Sequence, residues 1–330
     1  MGGHAFKSHA GITFPRMQPP TYLALKQHCV SRLRKLYLHV VVPPEAPEKA
    51  TYGDLDLIVA IPLDGPESGV NVRDSVGAAL GAELSFSENA HLGNFALALS
   101  TIAVDADSAD SGDDGGHGDS FGLGEGVYAQ VDVRQCELDE LGMALLMSSY
   151  GDMGMIMSLL FRLHGLHLGT KGLKLKTPQG TLPLSTDAQA ILAFLGLSPE
   201  PYTGEDHVFR TRASAFDWIA TSPFFRPQRF RAKIEQCLKR YKRLANREMF
   251  QAFINYLDEG IEADFWGSGK SELNGDGEDV DKDKDKERTI NKALDFFEAR
   301  AAYEALVGSS GLPLGTKWME VLRPNEQDLH

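Results

Sequence analysis

The sequence is poor in cysteine and contains no long apolar run. Its three cysteines, Cys29, Cys136 and Cys237, lie far apart and show no metal-ligand spacing. The pattern therefore matches neither a disulfide framework nor a zinc motif. Sparse, unpatterned cysteine is typical of a reducing compartment. No apolar run approaches the ~18 residues that a transmembrane helix needs, and residues 1–11 lack the apolar core of a secretory signal. We therefore expect a cytoplasmic or nuclear protein with no membrane partner.

The net charge of −13 is concentrated in two segments. Residues 105–119 hold six Asp and no Lys or Arg, and residues 270–288 hold eight acidic and five basic residues. The rest of the chain is therefore only mildly acidic, so the total charge does not exclude a nucleotide or nucleic-acid partner. Because segments this polar cannot bury a core, the composition predicts a disordered acidic insertion at 105–126 and a disordered charged linker at 267–288.

Local patterns predict an α+β fold in which helices dominate the second half. Helical spacing and β-branched apolar runs predict the following elements: helices at 21–37 and 71–82, and strands at 38–42, 54–61, 97–104 and 127–135. Further along, a hairpin is expected around Gln179-Gly180 and one long helix from Pro227 through Tyr256. The predicted organisation is a small mixed β-sheet core with flanking helices at 1–147, a mostly helical region with the hairpin at 148–266, and a C-terminal helix and tail at 289–330.

The strongest chemical signal is a pair of acids at the start of the predicted strand 54–61. Side chains alternate along a strand, so Asp54 and Asp56 point to one face while the residues between and after them point into the core. Two neighbouring carboxylates are costly to desolvate unless a cation lies between them, and Mg²⁺ or Mn²⁺ prefers carboxylate oxygens. Asp132 lies on the polar face of the predicted strand 127–135. Placed beside the first pair, it would complete a site for two metal ions suited to phosphoryl or nucleotidyl transfer.

This chemistry predicts a role for each acid. Asp54 and Asp56 would hold the metal ion bound to a triphosphate, and together with Asp132 they would hold a second ion that activates the acceptor hydroxyl. Asp132 is also the candidate for accepting the proton, directly or through water. A D-x-D pair also arises by chance at solvated strand ends, and Asp132 alone fits an edge-strand charge, so a purely structural role remains the alternative.

These residues resemble a known superfamily. Residues 53–59 (GDLDLIV), the later strand segment 131–133 (VDV) and an upstream Gly-Gly are similar to the DNA polymerase beta-type nucleotidyltransferases. More closely, the layout resembles nucleotidyltransferase-like proteins of fungi and large phages, which begin with a Gly-Gly-x-Ala segment, here residues 2–5, and carry a helical stretch like 149–166 after the third acid. The resemblance covers residues 1–175 and, more loosely, extends to about 257. It implies a small mixed sheet flanked by helices, an NTP donor and two magnesium ions.

The resemblance also suggests residues that would contact the nucleotide, namely Gly2, Gly3, Lys49 and Gly53. In the superfamily a Gly-Ser turn lies about ten residues before the paired acids and holds the triphosphate through backbone N–H groups. Here residues 42–50 contain three prolines and no such turn, and proline removes donors that phosphate binding needs. Gly2-Gly3 would substitute only if the N-terminus folds back beside the strand, and Lys49 would supply charge. A flexible terminus is the alternative for Gly2-Gly3.

A basic run at residues 226–247 contains nine Lys or Arg and one Glu. Within it, Arg229, Lys233, Arg240 and Arg243 recur at helical steps opposite an apolar stripe, so they are candidates for binding the phosphates of a nucleic-acid acceptor or of the NTP. The alternative is a solvated face that pairs with acidic segments of the same chain.

The leading hypothesis is metal-dependent transfer of a nucleoside monophosphate from an NTP to a hydroxyl acceptor, for which a nucleic acid is one candidate. The missing Gly-Ser turn motivates a rival from another class, a catalytically silent protein of this fold that acts as a nucleic-acid or protein binding module. Metal-dependent hydrolysis of a phosphate ester would use the same three acids with water as the acceptor.

Overall fold

The computed structural model describes residues 4–6, 9, 11–63, 72–89, 91–102, 126–203, 209–266 and 278–308. The chain forms two compact units, residues 1–145 and 146–330, whereas the sequence predicted a boundary after residue 147. Helices and two separate sheets make up these units, which confirms the expected α+β class.

The first unit is built on a five-stranded sheet with the order β1-β2-β5-β4-β3. Its strands are β1 (Tyr37–Val41), β2 (Asp54–Pro62), β3 (Leu84–Asn89), β4 (Leu92–Ala98) and β5 (Tyr128–Gln135). Only the central pair, β2 and β5, runs parallel, and the other neighbours are antiparallel. The sheet is therefore mixed, as the sequence predicted.

One face of this sheet is closed by two helices, α1 (Pro19–Leu33) and α2 (Val72–Leu80). Strand alternation sends the odd-numbered residues of β2 and β5 to this face, where Leu55, Leu57 and Val131 are buried with Leu25 of α1 and Val76 of α2. Burial of this apolar cluster holds the strands in register, because a one-residue slip would bring the acidic residues into the core.

The opposite face of β2 changes from acidic to apolar along the strand. Its first two even-numbered residues are the acids of the predicted site, whereas Ile58 and Ala60 further on are buried against Ala144 of α3 (Leu141–Ser148) and Cys136. The acids therefore lie just before the point at which this face becomes apolar.

The second unit combines a small antiparallel sheet with helices. The sheet contains β6 (Leu166–Gly169), β7 (Gly172–Thr177) and β8 (Gly180–Ser185). The helices are α4 (Met153–Leu163), α5 (Ala188–Phe194), α6 (Glu200–Thr203), α7 (Arg212–Ala220), α8 (Pro227–Arg240), α9 (Glu248–Glu262), α10 (Glu278–Phe296) and α11 (Arg300–Gly308). The predicted hairpin around Gln179-Gly180 is present as β7 and β8, and β6 adds a third strand.

Among the described residues, no single helix has the length and apolar composition needed to span a bilayer. Residues 138–148 and 153–163 meet that test only as a pair, which is bent by 94°.

Two predicted elements differ from the structure. The strand predicted at 97–104 ends at Ala98, and residues 99–102 are helical. The long helix predicted from Pro227 through Tyr256 is interrupted between α8 and α9 by a 3₁₀ turn, Lys242–Asn246. The reason is tertiary packing, since Phe230 of α8 contacts Phe253 of α9 with ring centroids 5.3 Å apart, and a continuous helix could not fold back on itself.

The predicted linker at 267–288 is also partly wrong, because residues 278–288 form the first turns of α10. Buried Thr289, Ala293 and Leu294 anchor this helix to the second unit, so its polar first half is supported by tertiary contacts that the composition does not show. Residues 267–277, the tail beyond residue 308 and the predicted acidic insertion, apart from Gly126, lie outside the described residues.

Candidate metal centre

The structure places the three predicted acids on one face of the five-stranded sheet. Asp56 of β2 lies directly beside Asp132 of the parallel strand β5, and Asp54 lies beside Gln130. Residues paired across neighbouring strands project to the same side, and residues two apart on one strand also share a side. All four polar side chains therefore extend from the same patch of the sheet.

Two buried amides complete this patch, and neither was singled out from the sequence. The Gln130 Nε2 group donates to both Asp132 oxygens, at 2.8 and 3.0 Å. Asn94 of β4 lies beside Asp132 on its other side and is buried. Among the described residues, neither Asn94 Nδ2 nor Gln130 Oε1 has a hydrogen-bond partner. A buried polar atom without a partner costs about 1–3 kcal/mol, so two of them beside a carboxylate indicate a place where an additional polar group is missing.

The Asp56 carboxylate has a perturbed acidity. Its side chain is open to solvent on one side, while surrounding protein atoms displace part of the hydration of the carboxylate. This desolvation, followed by the negative charges of Asp54 and Glu45, raises the pKa of Asp56 to about 6, and the positive charge of Lys49 offsets only part of the effect. A carboxyl group that loses its proton near neutral pH, next to other acids, is a candidate for cation binding or proton transfer.

A short network of aromatic and charged residues borders the acids. Tyr22 of α1 donates a 2.8 Å hydrogen bond to Glu45, which also pairs with Lys49 at 2.5 Å. The rings of Tyr22 and Tyr52 stack with centroids 3.9 Å apart, and the Lys49 ammonium group lies 5.1 Å from the centre of the Tyr52 ring. Burial, together with the charges of Glu45 and Asp56, raises the pKa of the Tyr22 hydroxyl, so this group is a stable hydrogen-bond donor. The network fixes the segment that carries Lys49 beside the acids.

The predicted nucleotide contacts are only partly described. Gly53 is buried immediately before β2, and Lys49 is engaged with Glu45 and Tyr52 and contributes a positive charge to the acidic patch. Gly2 and Gly3 lie outside the described residues.

The donor chemistry of the patch fits a hard divalent cation, although the side chains are not gathered around one point. Among the described residues, no group of three or more His, Cys, Asp or Glu side chains is arranged to hold a metal ion as it stands. The hydrogen bonds of Gln130 account for the position of the Asp132 carboxylate. Rotation of Asp132 away from Gln130 would direct it toward Asp56, its neighbour on β2.

The predicted phosphate-binding residues of α8 have different surroundings. Arg229 pairs with Asp285 at 2.6 Å, as the alternative of pairing within the chain predicts, while Lys233 is half-buried in a cleft. Arg240 is exposed at the end of the helix, 5.5 Å from the centre of the Tyr241 ring. The side chain of Arg243 lies outside the described residues.

No family model matches this sequence, and no curated protein matches it.

Proposed function

We propose that this protein transfers a nucleoside monophosphate from an NTP to a hydroxyl acceptor with the help of Mg²⁺ or Mn²⁺. The observation that carries the proposal is the parallel register of β2 and β5, in which Asp56 lies directly beside Asp132 while Asp54 projects from the same face. Three carboxylates that project from one face of two neighbouring strands are the kind of donors that divalent cations use in phosphoryl and nucleotidyl transfer.

Charge balance supports a cation at this place. The pKa of Asp56 is raised to about 6 by desolvation and then by Asp54 and Glu45, so at neutral pH the patch holds more negative charge than its surroundings stabilise. A divalent cation would remove this repulsion. The partnerless Gln130 Oε1 is a further oxygen that could accept from a water molecule bound to the ion.

Each acid then has a role in the reaction. Asp54 and Asp56 would hold the cation that binds the triphosphate, and Asp132 would orient the acceptor hydroxyl and take its proton. When bound, the cations supply electrostatic stabilisation of the charge that develops on the transferred phosphoryl group. Gln130 is a positioning residue, since its amide holds Asp132 until the cation competes for that carboxylate.

The resemblance of residues 53–59 and 131–133 to the DNA polymerase beta-type nucleotidyltransferases supports the same proposal. The mixed sheet, with its two acids on one strand and a third on the neighbouring strand, has the arrangement that this resemblance implies. Residues 42–50 lack the Gly-Ser turn of that superfamily, so the triphosphate would need donors from elsewhere in this unit, with Lys49 and Gly53 as the nearest candidates.

The test is a calorimetric titration of each NTP, with Mg²⁺ or Mn²⁺, into the wild-type protein, an Asp56→Asn variant and an Asp264→Asn variant. Asp264 is an exposed acid of the second unit whose φ of 52° is tolerated by asparagine, so it is a matched control for the loss of one carboxylate. Loss of a second-shell partner weakens metal sites by about 10–100-fold, so loss of the Asp56 ligand should weaken metal-dependent NTP binding by at least about 100-fold. Equal binding to the wild type and Asp56→Asn would contradict the proposal.

Product analysis distinguishes the acceptor. Release of pyrophosphate together with a nucleotidylated acceptor supports transfer, whereas release of pyrophosphate and free NMP indicates that water is the acceptor. Neither product should form with Asp132→Asn, because Asp132 is the group assigned to the acceptor.

One observation favours a second function, that of a catalytically silent binding module. Both oxygens of Asp132 accept hydrogen bonds from Gln130, and the described acids do not form a group that would hold a metal ion as they stand. In this case the protein would bind nucleic acid or protein without using the acids. Salt-dependent nucleic-acid binding that is insensitive to Mg²⁺ and to Asp54→Asn/Asp56→Asn, with no binding of any NTP, would favour this function over the first.

A further inference from the structure

A basic cleft of about 280 Å³ lies within the second unit. Three helices contribute cationic side chains to it: Arg162 comes from α4, Arg229 and Lys233 from α8, and Lys286 from α10. All four are half-buried, and no acidic side chain is among the described residues that line the cleft. Four cations from three helices therefore line one small space, where they repel one another unless anions offset their charge.

The charge of the cleft can be counted from its ion pairs. Asp285 lies 2.6 Å from Arg229, and Asp283 lies 3.8 Å from Lys286. After these two pairs, a charge of about +2 is left for a ligand, and a phosphate monoester carries about −1.5 to −2 at neutral pH. The charge therefore matches one phosphate group better than it matches a single carboxylate.

Unsatisfied donors point into the same region. Arg162 Nε is buried and has no hydrogen-bond partner among the described residues. Gln228 and Arg229 line the cleft from the first turn of α8, a 14-residue helix whose N-cap, Arg226, provides no side-chain cap. Backbone N–H groups in the first turn of a helix lack intrahelical partners and favour anions, which adds to the field of the four side chains.

Two other cations of α8 are paired with acids, which interrupts the basic surface of the helix. Arg231 pairs with Asp258 at 2.6 Å, and Lys239 lies 3.3 Å from Glu235. A nucleic-acid strand is bound by a track of cations that follows its phosphates, whereas the four cations described here surround one cleft. The cleft volume is also slightly below the ~300 Å³ at which sites for larger organic ligands begin.

We propose that this cleft binds a phosphate group, either as free phosphate or as part of a small phosphorylated molecule. Arg162, Lys233 and Lys286 are the residues that contact the phosphate, with Arg229 held in place by Asp285. Gln236, which is exposed and lines the cleft, lies where it can contact the rest of the ligand. The site lies within the second unit, and its positive charge matches a phosphate without a divalent cation.

The experiment is calorimetric titration of inorganic phosphate and of ribose 5-phosphate into the full-length protein, in EDTA and at near-physiological salt. The test variant is Lys233→Gln/Lys286→Gln. The control variant, Lys239→Gln/Arg240→Gln, removes the same charge from exposed positions of α8 that do not line the cleft. Because a hydrogen bond to a charged group is worth about a tenfold change in affinity or more, the test variant should bind at least about tenfold more weakly, and the control should change less than about twofold.

The outcomes separate the possibilities. Tighter binding of ribose 5-phosphate than of phosphate assigns the site to a phosphate ester, and the reverse assigns it to free phosphate; both support the proposal. Gln236→Glu, which adds a negative charge at an exposed position of the cleft, should weaken binding at least about tenfold without lowering the melting temperature. Absence of binding to the wild type, or an equal loss in the test and control variants, would overturn the proposal. Because this binding is measured in EDTA, without a divalent cation, failure of the phosphate proposal and failure of the nucleotidyl-transfer proposal are distinguishable.

Discussion

Asparagine at position 56 should make the metal-free protein more stable at neutral and alkaline pH. The carboxylate at this position is desolvated and repelled by Asp54 and Glu45, which raises its pKa from 3.8 to about 6. A group whose pKa is higher in the folded than in the unfolded state makes the fold lose stability as pH rises from the unfolded value to the folded one. Asp56→Asn removes this loss.

The size of the effect follows from the pKa. A rise from 3.8 to about 6 corresponds to about 3 kcal/mol if solvent does not screen the charges. Because the Asp56 side chain is exposed on one side, screening reduces this to about 1 kcal/mol. For a unit of this size, about 1 kcal/mol corresponds to an increase of about 2–4 °C in the melting temperature.

The assay is thermal unfolding of the wild type, Asp56→Asn and the control Asp264→Asn in EDTA, from a pH of about 4 to about 8. The advantage of Asp56→Asn should be absent at the acidic end, appear as pH rises through the interval from 3.8 to about 6, and stay constant above it. Addition of Mg²⁺ should reverse the order, since the cation stabilises only a folded protein that binds it. An Asp56→Asn variant that is no more stable than the wild type at the alkaline end, or whose advantage does not depend on pH, would refute the electrostatic argument.

Two further predictions concern the second unit. Gly172→Ala should cost about 2–4 kcal/mol of unfolding free energy, because the φ of Gly172 is +87° and the added Cβ would lie 2.2 Å from the Ser185 carbonyl oxygen. Gly169→Ala is the control, since nothing lies within 4 Å of a Cβ at that position. Urea unfolding measures both variants, and an equal loss of unfolding free energy in the control would contradict the prediction. Burial lowers the pKa of His164, whose Nε2 donates to the Phe224 carbonyl, so the unit should lose stability as pH falls below the unfolded histidine value of ~6.5. In an NMR titration of the wild type, the His164 resonance is identified by its absence from the spectrum of His164→Gln. The titration midpoint of this resonance should lie below the unfolded histidine value, and a midpoint above that value would show that the contact with Asp285 dominates.

Local sequence patterns were sufficient to predict the two strands that carry the acidic residues. The alternation of residues 127–135 and the apolar run after Asp54 predicted both strands and the faces of their acids, because alternation depends only on the strand itself. The register that sets Asp56 beside Asp132 could not be predicted, since these residues are 76 positions apart (132 − 56) and their pairing depends on how the two strands pack against α1 and α2.

The basic cleft shows the limit of local patterns more clearly. Arg229 and Lys233 were predicted from helical spacing, but Arg162 and Lys286 stand far away in sequence and join them only through helix packing. Lys286 also lies in a segment whose composition predicted disorder. The buried contacts of the second half of α10 stabilise that segment as a helix, and these contacts are tertiary.

The distribution of polar residues across the five-stranded sheet argues for a ligand at the acids. The face of β2 that carries Asp54 and Asp56 continues with Ile58 and Ala60, which are buried, so the same face supports apolar packing two residues further on. Apolar residues in place of the acids and of Asn94 and Gln130 would remove both the repulsion at Asp56 and the partnerless amide atoms. A sheet that served only as a scaffold would gain stability from that exchange. The polar patch is therefore more readily explained by a bound cation, whose charge offsets the repulsion and whose water ligands satisfy the amides, than by a contribution to folding.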